Sequence, residues 1–148
     1  MHTERLRILL VDDDDVDRSM MECFIKEAGL PYDLLVARNV AEAIAHLCVG
    51  RFDIVITEYR LPDGYGLEVQ RYAAQIPCIY FTRAASREAV IRAMKAGAYD
   101  YVIKDSQWEY LRELPIAIRE ALERKESSHT VATSPLPFYV APSQDVQS

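Results

Sequence analysis

The chain has 148 residues, 50% of them hydrophobic and 27% charged, with a net charge of −6 at neutral pH, a profile that fits one compact domain with a proper core. The acidic balance argues against nucleic acid as a direct partner, which would call for a basic face. No apolar run approaches the ~20 residues of a membrane span and the first residues lack the apolar stretch of a signal peptide, so the protein is expected to be cytoplasmic and to engage no membrane.

The first predicted element is Ile8-Leu9-Leu10-Val11, a short aliphatic run that ends abruptly in Asp12-Asp13-Asp14-Asp15, the pattern of a buried parallel strand delivering carboxylates at its C-terminal edge. Val16, Met20, Cys23, Phe24 and Ala28 then recur at helical spacing up to Gly29, a glycine stop. On that reading Asp14, Asp15 and Asp17 serve the helix N-terminus, where the macrodipole favours carboxylates by ~0.3 to 1 kcal/mol each. Leu34-Leu35-Val36 is strand 2, and a helix from Ala41 to Cys48 stops at Gly50. Strand 3, Asp53–Thr57, runs into Glu58-Tyr59-Arg60-Leu61-Pro62-Asp63-Gly64, followed by a short helix around Leu67, Val69 and Tyr72. Strand 4, Cys78-Ile79-Tyr80-Phe81, ends in Thr82. Ser86 is placed to cap a helix that stops at Gly97. Strand 5, Tyr99–Ile103, ends in Lys104. Ser106 and Glu109 are spaced as a capping box, and Pro115 suits the first position of a last helix that buries Ile118, Ala121 and Leu122.

Five strands alternating with five helices give an α/β, flavodoxin-like, doubly wound (βα)5 fold, with a five-stranded parallel sheet in the order 2-1-3-4-5. The domain is expected over residues 1–126. Residues 127–148 carry Pro135, Pro137 and Pro142 among Ser, Thr and Gln, and read as a flexible tail or linker, with Leu136-Pro137-Phe138-Tyr139 as its one docking-type segment. Cys23, Cys48 and Cys78 show no C-x-x-C spacing and read as packing residues rather than a disulfide framework or zinc site. Ligands of open α/β sheets bind outside the carboxyl ends of the strands. Two aspartates, a glutamate, a hydroxyl and a lysine at four such ends therefore converge on one site.

These five residues, at strand ends in this order, resemble the receiver domain of two-component response regulators, from about Arg5 to about Lys125. The resemblance implies phosphorelay signalling, with a histidine kinase or a downstream output protein as partner, and a non-enzymatic module. It implies Mg2+ held by Asp12, Asp13 and the backbone carbonyl of Arg60, phosphate contacts from Thr82 and Lys104, and an aromatic that moves inward on activation at Tyr101. The face of helix 4, strand 5 and helix 5 is commonly the interaction or homodimer surface in such proteins. Here it would carry Arg87, Arg92, Lys95, Trp108 and Tyr110.

The chain departs from the family at the acceptor, where Glu58 stands in place of aspartate. One added methylene moves the carboxylate by ~1.5 Å, and misplacement of about 1 Å can cost on the order of 100-fold in rate. Phosphorylation is thus expected to be lost or very poor, and the domain to act by binding a protein. The longer side chain is expected to reach Thr82 and Lys104 and to bias Tyr101 inward. Arg60 and Arg83 bring two guanidinium groups near the acids, so Mg2+ is expected to be weakly held or absent. Asp105 follows Lys104 where the family often has proline, and a trans bond is expected there. The alternatives are a conventional phosphorylated receiver with a poor or introduced glutamate acceptor, and a metal-dependent phosphatase built on Asp12 and Asp13. A flavin carrier is disfavoured, because four aspartates after strand 1 would repel its phosphate.

Overall fold

Along the first strand Ile8 and Leu10 face one way and Leu9 and Val11 the other, and all four are buried, so the sheet is covered on both faces as its uninterrupted apolar runs demand. The computed structural model describes residues 4–132. Numbering the strands of the main sheet and the helices in chain order, they are β1 (Leu6–Val11), α1 (Asp15–Glu27), β2 (Tyr32–Ala37), α2 (Val40–Val49), β3 (Ile54–Thr57), α3 (Gly66–Tyr72), β4 (Cys78–Thr82), α4 (Arg87–Lys95), β5 (Asp100–Ile103) and α5 (Leu114–Ala132). The strands are all parallel, in the order β2-β1-β3-β4-β5. This is the flavodoxin-like sheet read from the sequence.

Two cores follow from the alternation. Ile8, Leu10, Ile54, Ile56, Ile79 and Phe81 meet Met21 and Ile25 of α1 and Leu114, Ile118 and Ala121 of α5. On the other face Leu9, Val11, Val55 and Tyr80 meet Val40 and Ala43 of α2, Val69 of α3 and Ala89 and Ala93 of α4. The same register lines up the strand ends: Val11 pairs with Thr57, and the Glu58 amide donates to the Val11 carbonyl at 2.9 Å. Lys104 in turn donates its amide to the Thr82 carbonyl at 2.9 Å.

Between β3 and α3 the pairs Arg60–Leu61 and Gly64–Tyr65 form a small antiparallel ribbon. Asp63 at its turn accepts hydrogen bonds from the Val40 and Ala41 amides, tying the ribbon to the α2 N-terminus that Asn39 already caps. Gly66 is required by a close approach, since a Cβ there would lie 2.3 Å from the Glu58 carbonyl oxygen.

Several local expectations change. The buried residues of α1 are Asp17, Met21 and Ile25, so the buried stripe is rotated from the one read in the sequence and Val16 is exposed. Ser106 does not cap the turn after β5. Asp105 does so, its carboxylate accepting from the amides of Gln107, Glu109 and Tyr110, while Trp108 adopts a left-handed conformation at φ 62° before the 3-10 turn Glu109–Glu113. Cys78 is buried, but Cys23 and Cys48 are exposed. Helix α5 opens at Leu114, one residue before Pro115, and continues past the boundary read at Glu126 to Ala132. The rest of the tail, with Leu136-Pro137-Phe138-Tyr139, lies outside the described residues. Among them every peptide bond is trans, Lys104–Asp105 included.

Candidate functional site

At the C-terminal edge of the sheet the Lys104 ammonium, just past β5, is surrounded by three carboxylates. It donates to Asp12 Oδ2 at 2.7 Å, to Asp17 Oδ2 at 2.7 Å and to Glu58 Oε2 at 2.5 Å. An ammonium has three protons, and each is used. The Lys104 side chain is 1% exposed and those of Asp12, Asp17 and Glu58 are 5%, 2% and 12% exposed. The other carboxylate oxygen of Glu58 accepts from the Thr82 hydroxyl at 2.5 Å.

Thr82 is saturated as well. Its oxygen accepts from the amides of Tyr59 at 3.2 Å and Ala84 at 3.1 Å. The carbonyl of that same Ala84 accepts from the Tyr101 hydroxyl, so an unbroken run of hydrogen bonds leads from the Glu58 carboxylate through Thr82 and Ala84 to Tyr101. The half-buried Tyr101 ring is stacked on Tyr80, centroids 5.4 Å apart and planes 19° apart. Tyr80 is fixed by its hydroxyl donating to Gln70 at 2.6 Å.

Asp17 is the residue that sequence reasoning assigned elsewhere. The α1 N-cap is Asp14, whose side chain accepts from the Asp17 amide at 3.0 Å, leaving the Asp17 carboxylate free to turn inward. It bridges Lys104 and Arg83, one guanidinium nitrogen lying 2.8 and 3.1 Å from its two oxygens. The available signal was phase: Asp17 lies four and eight residues before Met21 and Ile25, on the buried stripe. Asp13, by contrast, is exposed and stands outside the cluster. The Arg60 side chain is exposed too, and lines a cleft with Glu58, Thr82, Arg83 and Ser86.

Burial pushes the Asp12 carboxyl up to about 6, against the pull of Lys104 and of the Asp14 amide, with the Glu58 charge adding to the rise. Burial alone would lower the Lys104 ammonium, but the carboxylates of Asp12 and Glu58 outweigh it and hold the proton more tightly than in water. Burial, and then the neighbouring Tyr59 and Glu58, push Tyr101 up to about 12, so it is a neutral hydrogen-bond donor at any physiological pH.

The sequence matches the model of the response regulator receiver domain over residues 8–114. The chain belongs to the response regulator receiver family. This receiver is 38% identical over 114 residues to the response regulator protein PilR of Pseudomonas aeruginosa, covering 74% of the chain and 25% of PilR. It is 36% identical over 107 residues to the DNA-binding transcriptional activator DevR/DosR of Mycobacterium tuberculosis, covering 68% of the chain and 48% of that protein. The chain thus spans between a quarter and half of the length of these two relatives. Among solved structures, the signal receiver domain of an HD domain-containing protein from Pseudomonas fluorescens superposes with a TM-score of 0.72 at 28% identity, over 84% of this chain and 99% of the other. A CheY-like receiver from Methanospirillum hungatei gives 0.71 at 26%, over 85% and 99%.

Receivers are generally non-enzymatic signalling modules that hold Mg2+ in an acidic pocket, and the acids available here are Asp12, Asp17 and Glu58, with ligand atoms within 4.8 Å of one another. An incoming ion would compete with the Lys104 ammonium for these acids. Mg2+ asks for oxygens at ~2.0 to 2.1 Å in near-octahedral array, whereas these oxygens are gathered around an ammonium at 2.5 to 2.7 Å. No helix of the described residues is long and apolar enough to cross a membrane.

Proposed function

We propose that this receiver transmits a signal without being phosphorylated, by presenting a protein-binding surface whose state is set by Glu58. The observation that carries this reading is the Glu58 carboxylate bonded at 2.5 Å to both the Thr82 hydroxyl and the Lys104 ammonium, the two groups that would otherwise receive a phosphoryl group. Mg2+ is held weakly or not at all. The backbone carbonyl of Arg60, with Asp12 and Asp13, is where such an ion would be held, and Arg60 also lines the cleft.

The binding surface is the face of α4, β5 and α5. Arg87, Arg92 and Lys95 are exposed there, with Arg92 paired to Glu88. Ile91, Met94, Ile103 and Ile116 are between 38% and 47% exposed, more apolar surface than the basic residues alone would suggest. Trp108 packs half-buried against the α1–α5 core and Tyr110 is buried, so those two are core residues. The partners are a second copy of this chain, a histidine kinase or a downstream output protein, and the protein works in the cytoplasm without touching nucleic acid itself. DNA binding is named for the relative DevR/DosR.

The test is chemical. With a small-molecule acyl phosphate and Mg2+, the intact mass of the natural chain should not change, and Glu58→Gln should behave identically. A rapid gain of one phosphoryl mass, abolished by Glu58→Gln, would overturn the reading.

A further inference from the structure

The first turn of α1 turns one of its carboxylates, that of Asp17, away from solvent and into the site. We infer that Asp17 makes the Lys104 ammonium the resident cation of this pocket, and so closes the pocket to a divalent metal and to a phosphoryl group by a second block, separate from Glu58. This builds on the phosphorylation-independent reading above and adds a residue to it.

A buried carboxylate is costly unless it is paired and hydrogen-bonded. Asp17 is 2% exposed, follows the helix cap instead of being it, and falls on a stripe otherwise filled by Met21 and Ile25, where an apolar side chain would satisfy packing. Its carboxylate instead binds two cations from two different strand ends, Lys104 after β5 and Arg83 after β4. With Asp12 it takes two of the three ammonium protons, neither of them the one that Glu58 uses.

Two consequences follow. A phosphoryl group at position 58 could engage at most the one remaining Lys104 proton, with the ammonium already anchored on the far side by two charge-assisted bonds of the stronger kind. A metal ion approaching Asp12 would meet a positive charge at the focus of the carboxylates. Displacing that charge would break its buried charge-assisted bonds to Asp12 and Asp17. Restoring the aspartate at position 58 is therefore not sufficient to restore the family's chemistry.

The experiment uses the full 148-residue chain in four forms: natural, Glu58→Asp, Glu58→Asp/Asp17→Asn and Glu58→Asp/Asp17→Leu. The leucine form continues the apolar stripe, so that a fault peculiar to the buried amide is separated from the role of the charge. Each is incubated with acetyl phosphate and Mg2+, so that the phosphoryl group passes from the acetate oxygen to the carboxylate and acetate is released, and labelling is timed by intact mass. Binding of Mn2+ is read in parallel from the free-ion paramagnetic resonance signal. At least one Asp17-neutral double variant should label at least tenfold faster than Glu58→Asp and bind Mn2+ at least tenfold more tightly. The inference is overturned if Glu58→Asp alone matches both double variants, or if neither gains on it while both melt cooperatively. Labelling of the natural chain strikes the reading of Glu58 and leaves the Asp17 comparison standing.

Discussion

With Lys104 replaced by methionine, Asp12, Asp17 and Glu58 would keep their burial and lose the ammonium each of them touches. Removing one partner from a buried ion pair leaves an uncompensated charge and costs ~3 to 5 kcal/mol. Lys104→Met should show a loss of that order in urea denaturation at neutral pH, and a smaller one in acid, where the carboxylates can take up protons; a change within ~0.5 kcal/mol, usual for an unremarkable surface site, would contradict the arrangement. Asp12 adds a pH signature. Its carboxyl holds a proton up to about 6 in the folded chain against 3.8 as a free group, so its contribution to stability is present below the lower value and is lost as pH rises through the upper one. Asp12→Asn, which cannot ionise, should therefore gain on the natural chain between roughly pH 4 and pH 7, by at most on the order of 3 kcal/mol. Urea titrations at the two pH values measure it, and a flat difference would show that Lys104 fully offsets the burial of Asp12.

At the level of single elements the sequence was most legible where one residue carries one local task. Ser86 caps α4, its hydroxyl accepting from the Ala89 amide at 3.1 Å, and Gly97 ends that helix at φ 106°; both are local backbone requirements that few residues meet. The runs that became β1, β3 and β4 were legible because burial on both faces leaves no polar position. Legibility failed where the deciding partner is distant in sequence. Asp17 was read by its neighbours as a helix-end charge, yet its partners are 66 and 87 residues away. Asp105 displaced Ser106 because a left-handed Trp108 folds the amides of Glu109 and Tyr110 back onto the carboxylate that the Gln107 amide already meets, a geometry with no sequence period. Asp105→Ala should accordingly lower the melting temperature while Ser106→Ala leaves it unchanged; equal effects would restore the capping box. Gly66→Ala tests the opposite end of the site. A Cβ placed 2.3 Å from the Glu58 carbonyl and 3.0 Å from the Thr57 side chain forces backbone movement, and overpacking of this kind costs ~1 to 3 kcal/mol. Calorimetric melting reads that cost, and an unshifted transition would mean that the ribbon yields freely.

Across the whole molecule, the parallel register brings Asp12, Glu58, Thr82 and Lys104 to one edge, while the binding face proposed above lies along α4, β5 and α5. Tyr101, on β5 next to that face, is joined to the site through Thr82 and Ala84. Glu58 offers two carboxylate oxygens, both already engaged, so its influence on Tyr101 passes through a single hydroxyl. One charge-assisted hydrogen bond is worth ~1.5 to 3 kcal/mol at most and about 1 to 2 in a partly exposed pair, which changes a two-state ratio roughly 5- to 30-fold. A full inversion from 1:99 to 99:1 needs ~5.5 kcal/mol. The natural chain should therefore populate two Tyr101 positions with the inward one favoured, and Glu58→Ala should move that ratio outward by about 5- to 30-fold. A fluorotyrosine placed at position 101 reports both populations by fluorine resonance, with sedimentation recording self-association in the same samples. Glu58→Ala should shift the fluorine signal and the association constant in step, because one equilibrium governs both. A fluorine spectrum indifferent to Glu58 would cut the route from the carboxylate to the face and reduce Glu58 to a residue that only blocks phosphorylation.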